Sequence, residues 1–122
     1  MSEALAGGLV GGGTMFLTGL LIMWMGGRME QGRFRRNRWA GIRTPGTMRS
    51  DEAWAAAHEV GGPWLSRGGL LGAVGGLCGL IGGLLGASVG WVAGFILGGA
   101  GAMTVMLLVG TAAGVRAARR VP

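Results

Sequence analysis

From Leu5 to Gly27 the chain is a mixture of glycine and large aliphatic residues, and the same texture returns from Gly68 to Val115, with a dense polar stretch between the two blocks. No Asp, Glu, Lys or Arg occurs between Glu3 and Arg28, and none occurs between Arg67 and Arg116. A bilayer span needs about 20 apolar residues at about 1.5 Å rise each. The first gap therefore accommodates one transmembrane helix, and the second, 48 residues long, accommodates two. The pattern predicts an all-α integral membrane fold, read as a single domain over 1–122. Helix one covers about 5–27, a polar loop 28–65, helix two about 66–86, helix three about 91–115 and a basic tail 116–122. Ala87-Ser88-Val89-Gly90 supplies the small residues for a tight hairpin between the last two spans, with Trp91 anchoring the start of helix three.

Within the loop the periodicity changes. Ser50 is a good N-cap, and Asp51 and Glu52 sit in the first turn where the helix dipole favours negative charge. Ala53, Trp54, Ala57 and Gly61 then fall on one helical face, with His58 four residues after Trp54, and Gly61-Gly62-Pro63 is expected to stop the element. This predicts a short interfacial helix that lays Trp54 toward the membrane or the mouth of the bundle, with Asp51, Glu52 and Glu59 as partners for nearby arginines.

Composition sharpens this picture. Only 13% of the 122 residues are charged, against roughly 25% in an ordinary soluble domain. The 29 glycines would each weaken a helix in water by about 1 kcal/mol relative to alanine. In hydrocarbon, where an unpaired backbone group costs several kcal/mol, the segments stay helical and glycines become docking surfaces. At four-residue spacing Gly68, Gly72 and Gly76 form one ridge of helix two and Gly75, Gly79 and Gly83 another, while Gly90, Gly94 and Gly98, and later Gly110 with Gly114, continue on helix three. Helices two and three are expected to pack tightly, and the same ridges also suit a homo-oligomer. The N-terminal segment reads as an uncleaved span: its apolar run is too long for a signal peptide, has no basic residue before it and is followed by arginines. Cys78, the one cysteine, has no neighbours that would make it a metal ligand or an activated thiol.

The formal charge of +6 is carried entirely by arginine outside the apolar blocks, eight residues from Arg28 to Arg67 and three in the tail. That distribution speaks for a membrane topology signal and against nucleic acid. By the positive-inside rule the loop and the C-terminus are expected to face the cytoplasm and the N-terminus to lie outside. Arg33, Arg35, Arg36 and Arg38, clustered just past helix one, suit anionic lipid headgroups, each contributing about 1 kcal/mol. No catalytic residue, cofactor or metal is predicted. His58-Glu59 lacks the second histidine of a zinc protease motif, no phosphate-cradling loop is present, and one histidine with a few acids defines no nucleophile–base pair. The apolar blocks also lack the ionisable residues that mark proton and ion paths. An oligomeric pore lined by Thr14, Thr18 or Ser88 stays open as an alternative, in which the protein is a small transport or channel subunit.

The most specific wording is Ile42-Arg43-Thr44-Pro45-Gly46. Pro45 fixes its own φ and drives Thr44 into an extended conformation, so Arg43 is held out from a stiff, bent segment. This suits a guanidinium that meets a carboxylate, a phosphate or a helix end bidentately, and it equally suits a plain turn between two elements. Asn37-Arg38-Trp39-Ala40-Gly41-Ile42-Arg43-Thr44-Pro45, followed by Ser50-Asp51-Glu52-Ala53-Trp54 and Ala57-His58, with a glycine and Trp64 at the foot of a hydrophobic helix, resembles the signature of the SdpI family of bacterial membrane proteins. The likeness covers about Asn37 to Trp64 and points to a short, three-span form. It implies a non-enzymatic protein with a role in immunity to an antibacterial peptide, or in signalling that holds a regulatory protein at the membrane. The positions carried by that resemblance are Asn37, Gly41, Arg43, Thr44, Pro45 and Trp54, with His58 beside them as a partner-binding candidate. The partners expected are membrane lipids, a peptide toxin or regulatory protein, and a second copy of the chain.

Overall fold

The computed structural model describes all residues from Met1 to Pro122. It is all-helical, with three helices long and apolar enough to cross a bilayer. These are α1 (Glu3–Glu30), whose Gly8–Gly12 segment widens into a π-type turn, α3 (Asp51–Leu84) and α4 (Val89–Arg119). A single turn, α2 (Pro45–Met48), lies in the loop between α1 and α3. Leu17, Leu21, Leu70, Val74, Leu97 and Leu108 point outward, whereas most buried positions of α3 are glycine or alanine. A surface so apolar around a core of glycine suits lipid as the solvent.

The central element is α3, with α1 on one side and α4 on the other. Contact between α1 and α4 is confined mainly to the hairpin end, where Gly11 lies against Ile96. Two sets of glycines on α3, each spaced by seven and offset by one, create this arrangement. Gly62, Gly69, Gly76 and Gly83 face Gly26, Gly19, Gly12 and Gly8 of α1, while Gly61, Gly68 and Gly75 face Gly110, Met106 and Gly99 of α4. A methyl group on Gly75 would come within 2.6 Å of the Gly99 Cα, and one on Gly76 within 2.7 Å of the Gly12 carbonyl. A seven-residue repeat keeps a seam facing its partner over many turns.

The four-residue ridges are thus corrected. Gly68 and Gly72 meet α4, but Gly76 and Gly83, read on the same ridges as their neighbours, meet α1. On α4, Gly94 and Gly98 have nothing within reach and Gly90 meets only Ser88, so that stripe faces outward. The expected packing of the last two spans is present, and the first span packs on the same helix as closely.

The expected stop at Gly61-Gly62-Pro63 is also corrected, because one helix of 34 residues runs through it. At about 1.5 Å per residue this helix is about 51 Å long, against a hydrocarbon thickness of about 30 Å. Its first turns, from Asp51 to about Trp64, therefore stand beyond the span, and the short loop helix is their beginning. Gly61 and Gly62 are seats for Gly110 and for Gly26 with Met29, and the helix is clamped from both sides across the proline. Pro63 removes one backbone hydrogen bond, which such clamping outweighs. The hairpin lies at Leu85–Ser88, slightly earlier than expected, with Gly86 at φ +81° after the end of α3 and Ser88 capping α4 through the Trp91 amide.

Candidate functional site

At the loop end α1 and α4 no longer touch, and the segment from Gln31 to Ser50 folds into the space between them against α3. Ile42 is the plug: its side chain reaches Gly61 of α3 and Gly114 of α4 and is almost fully buried. Beneath it lies a cavity of about 220 Å³, walled by Ile22 and Met25 of α1, Leu65 of α3 and Leu107 and Thr111 of α4.

A buried peptide needs partners for its backbone, and two side chains supply them. The Ile42 N–H donates to His58 Nε2 at 2.9 Å, and the Thr47 hydroxyl donates to the Ile42 carbonyl at 2.7 Å. Thr47 is held in turn by a reciprocal cap of α2, since its Oγ1 accepts from the Thr44 amide at 2.9 Å and the Thr44 Oγ1 accepts from the Thr47 amide at 3.1 Å. Because the Ile42 amide can only donate, Nε2 of His58 must accept. The ring proton therefore sits on Nδ1 and is donated to the Trp54 carbonyl at 2.7 Å. Burial pushes the His58 pKa below its usual value, with the bond to the Trp54 carbonyl opposing it in part.

The imidazole belongs to an aromatic stack. Its centroid is 3.9 Å from the Trp54 ring, Phe34 covers both, and the Trp54 indole Nε1 donates to the Phe34 carbonyl at 2.6 Å. Trp54 is thus buried in the loop core; of the two directions expected for it, it does not take the membrane and turns in at the mouth of the bundle. Gly41 passes over this stack at φ +112°, where a methyl group would come within 2.7 Å of His58 Nε2 and 3.0 Å of Trp54 Cη2. Positive φ and close approach both demand glycine there.

The other loop residues divide into braces and free groups. Asn37 is a brace: its Oδ1 accepts from the Trp39 and Ala40 amides, and its Nδ2 donates to the Arg35 carbonyl. Arg36 pairs with Asp51 at 3.3 Å and donates to the Met48 carbonyl, whereas Glu52 and Glu59 pair with no arginine. Arg49 crosses to the far end of the chain and donates to the Ala118 and Val121 carbonyls, covering the negative end of α4. By contrast Arg33, Arg35, Arg38 and Arg43 are exposed and donate no side-chain hydrogen bond. Trp39 is 85% exposed between two of them. Pro45 begins α2 and, with the Thr44 cap, fixes the backbone from which Arg43 projects.

Of the residues read from the sequence, Gly41, Trp54 and His58 meet in one cluster, Thr44 and Pro45 support it through Thr47, and Asn37 shapes the approach. Phe34, Ile42, Thr47 and Arg49 were missed as site residues. Thr47 was findable, because a threonine three residues after Thr44 makes the reciprocal cap; Arg49 was not, because its partners lie about 70 positions later.

This architecture, a polar loop locked onto the end of a three-helix membrane bundle by Gly41, His58 and the Thr44-Pro45 turn, meets an independent comparison. The profile of the SdpI/YfhL protein family matches residues 33–116, which takes in the whole loop core, α3 and most of α4. No curated protein and no solved structure matches the chain. Matched over more than two-thirds of its length, this multi-pass membrane chain belongs to the SdpI/YfhL protein family.

Proposed function

We propose that the protein is a non-enzymatic bacterial membrane protein whose loop recognises a peptide or protein partner, in immunity to an antibacterial peptide or in signalling at the membrane. One observation carries this reading: a rigid, fully hydrogen-bonded core presents side chains that have no partner of their own. The Ile42 plug, His58 and Thr47 immobilise the loop, while the side chains of Arg43 and Trp39 are exposed and make no hydrogen bond within the chain. A preorganised loop loses little entropy on binding, and Arg and Trp are the side chains most often dominant at protein interfaces. The loop faces the cytoplasm in this reading. Expression of the wild type in a bacterium sensitive to antibacterial peptides should raise survival under challenge, and Arg43→Ala should remove most of that protection at unchanged protein abundance. Equal survival with and without the protein across the peptides tried would defeat the immunity reading.

A second reading, a small oligomeric transport or channel subunit, draws on the outward-facing Gly90, Gly94 and Gly98 stripe. Against it stands the absence of any Asp, Glu, Lys, Arg or His between Glu3 and Arg28 or between Arg67 and Arg116.

A further inference from the structure

Beside the aromatic stack, between the end of α1 and the first turns of α3, opens a cavity of about 460 Å³. That size lies within the range of about 300–1,000 Å³ typical of small-ligand sites. Its floor is apolar, with Met29 and Trp54 buried and Phe34 alongside, and its rim carries Arg35, Arg36 and Asp51. The rim charges do not cancel. Arg36 is committed to Asp51 and to the Met48 carbonyl, and the His58 imidazole is neutral, with both nitrogens bound to backbone. Arg35 has no side-chain partner, so the cavity holds one neutralised pair and one unmatched guanidinium.

Its height along the bundle identifies the anion. The Arg28 guanidinium lies 5.3 Å from the Trp24 ring centroid, an indole and a cation at the end of the first apolar block, as at a bilayer boundary. Met29 and Gly32, the next residues along, already line the cavity. A turn of helix rises about 5.4 Å, which sets this opening in the headgroup layer, just above the hydrocarbon.

We propose that this cavity binds the headgroup of an anionic membrane phospholipid, with the Arg35 guanidinium meeting the phosphate and Met29, Phe34 and Trp54 sheltering the glycerol. The proposal is independent of partner recognition by the outer loop, because Arg43 and Trp39 do not line the cavity. An acidic peptide could offer the same charge, but the depth of the site favours a molecule already resident in the bilayer.

The test is native mass spectrometry of the purified protein in detergent, titrated with phosphatidylglycerol or phosphatidylcholine. Wild type should retain phosphatidylglycerol in preference to phosphatidylcholine. Arg35→Gln should weaken that retention about five-fold, the effect of losing one basic residue worth about 1 kcal/mol at an anionic surface. Ala55 also lines the cavity, so Ala55→Leu, which fills it without changing charge, should weaken retention as well, and Arg119→Gln, an exposed tail arginine at the same end, should leave it unchanged. Equal retention of the two lipids by wild type, or wild-type retention by both Arg35→Gln and Ala55→Leu, would overturn the proposal. Glycerol phosphate binding as tightly as the lipid would make the ligand a soluble phosphate, and an acidic peptide binding more tightly with the same dependence on Arg35 would make it a peptide; either result also overturns it.

Discussion

Ile42 is the only large aliphatic residue in a stretch crowded with arginine, and its burial sets the demands on its neighbours. Its N–H is met by His58 and its carbonyl by Thr47. Loss of either partner leaves a buried backbone group unpaired, at a cost of about 1–3 kcal/mol. The histidine adds a pH dependence with a definite sign. Only the neutral ring can accept from Ile42, and burial lowers the folded-state pKa below the ordinary value of 6.5. The unfolded chain therefore binds the proton more readily than the folded one. This contribution to stability is complete above about pH 6.5 and is lost as the pH falls through that value toward the depressed one. Thermal unfolding in detergent, followed by tryptophan fluorescence, should shift to lower temperature between pH 7.5 and pH 5.5. His58→Gln should unfold at a lower temperature at pH 7.5 and lose most of that dependence; a slope unchanged in the variant would assign the titration elsewhere. In the sequence His58 stood out by its spacing from Trp54, but its partner amide lies sixteen residues earlier on another element, and no local pattern points there.

Among the elements, α3 shows how the same residues mean different things in different solvents. Gly61-Gly62-Pro63 is a helix stop in an isolated chain, because glycine loosens the backbone and proline lacks a donor. Between two packed helices the glycines allow close approach, and the helix continues. The packing assigns different consequences to chemically identical substitutions. Gly69→Leu would drive a side chain into the α1 backbone at Met23 and Gly19, and should cost at least the about 1–3 kcal/mol typical of overpacking. Gly94→Leu meets nothing within the chain and should leave the melting temperature within a degree or two. Melting curves of the two variants provide the comparison. Loss of a crosslinked oligomer in native membranes with Gly94→Leu, at unchanged melting temperature, would turn the outward stripe into an assembly surface and favour the transport reading. The seven-residue repeat was present in the sequence throughout, but with 29 glycines many spacings coexist, and only contact with two different helices selects this one.

For the whole molecule, the decisive feature is that α1 and α4 meet near the hairpin and part at the other end. The loop closes that gap, with Ile42 between α3 and α4, Trp54 bonded to the segment after α1, and Arg49 on the last carbonyls of α4. The three helices are tied at both ends, and the bundle becomes the support for the exposed arginines. The proposed orientation rests on where those arginines lie: all eleven flank the spans on the loop side, which by the positive-inside rule would set that side in the cytoplasm. A reporter fused after Pro122 should be active only as a cytoplasmic fusion, and the same reporter placed before Met1 only as a periplasmic one. The reverse pattern would turn the loop outward and remove an intracellular partner from consideration.

Much of this protein was legible in one dimension. Three spans, their order, the polar stretch between them and its resemblance to the SdpI family all follow from where charge is absent and from the wording around Arg43, because transfer into hydrocarbon depends on local composition. What only the tertiary structure decided is how the loop is held: that α3 continues through a proline, that Trp54 turns inward onto His58 and Phe34, and that Ile42 enters the bundle. The physical reason is that a buried donor or acceptor can be satisfied by any group that the fold brings within about 3 Å, and distance along the chain places no limit on which group that is.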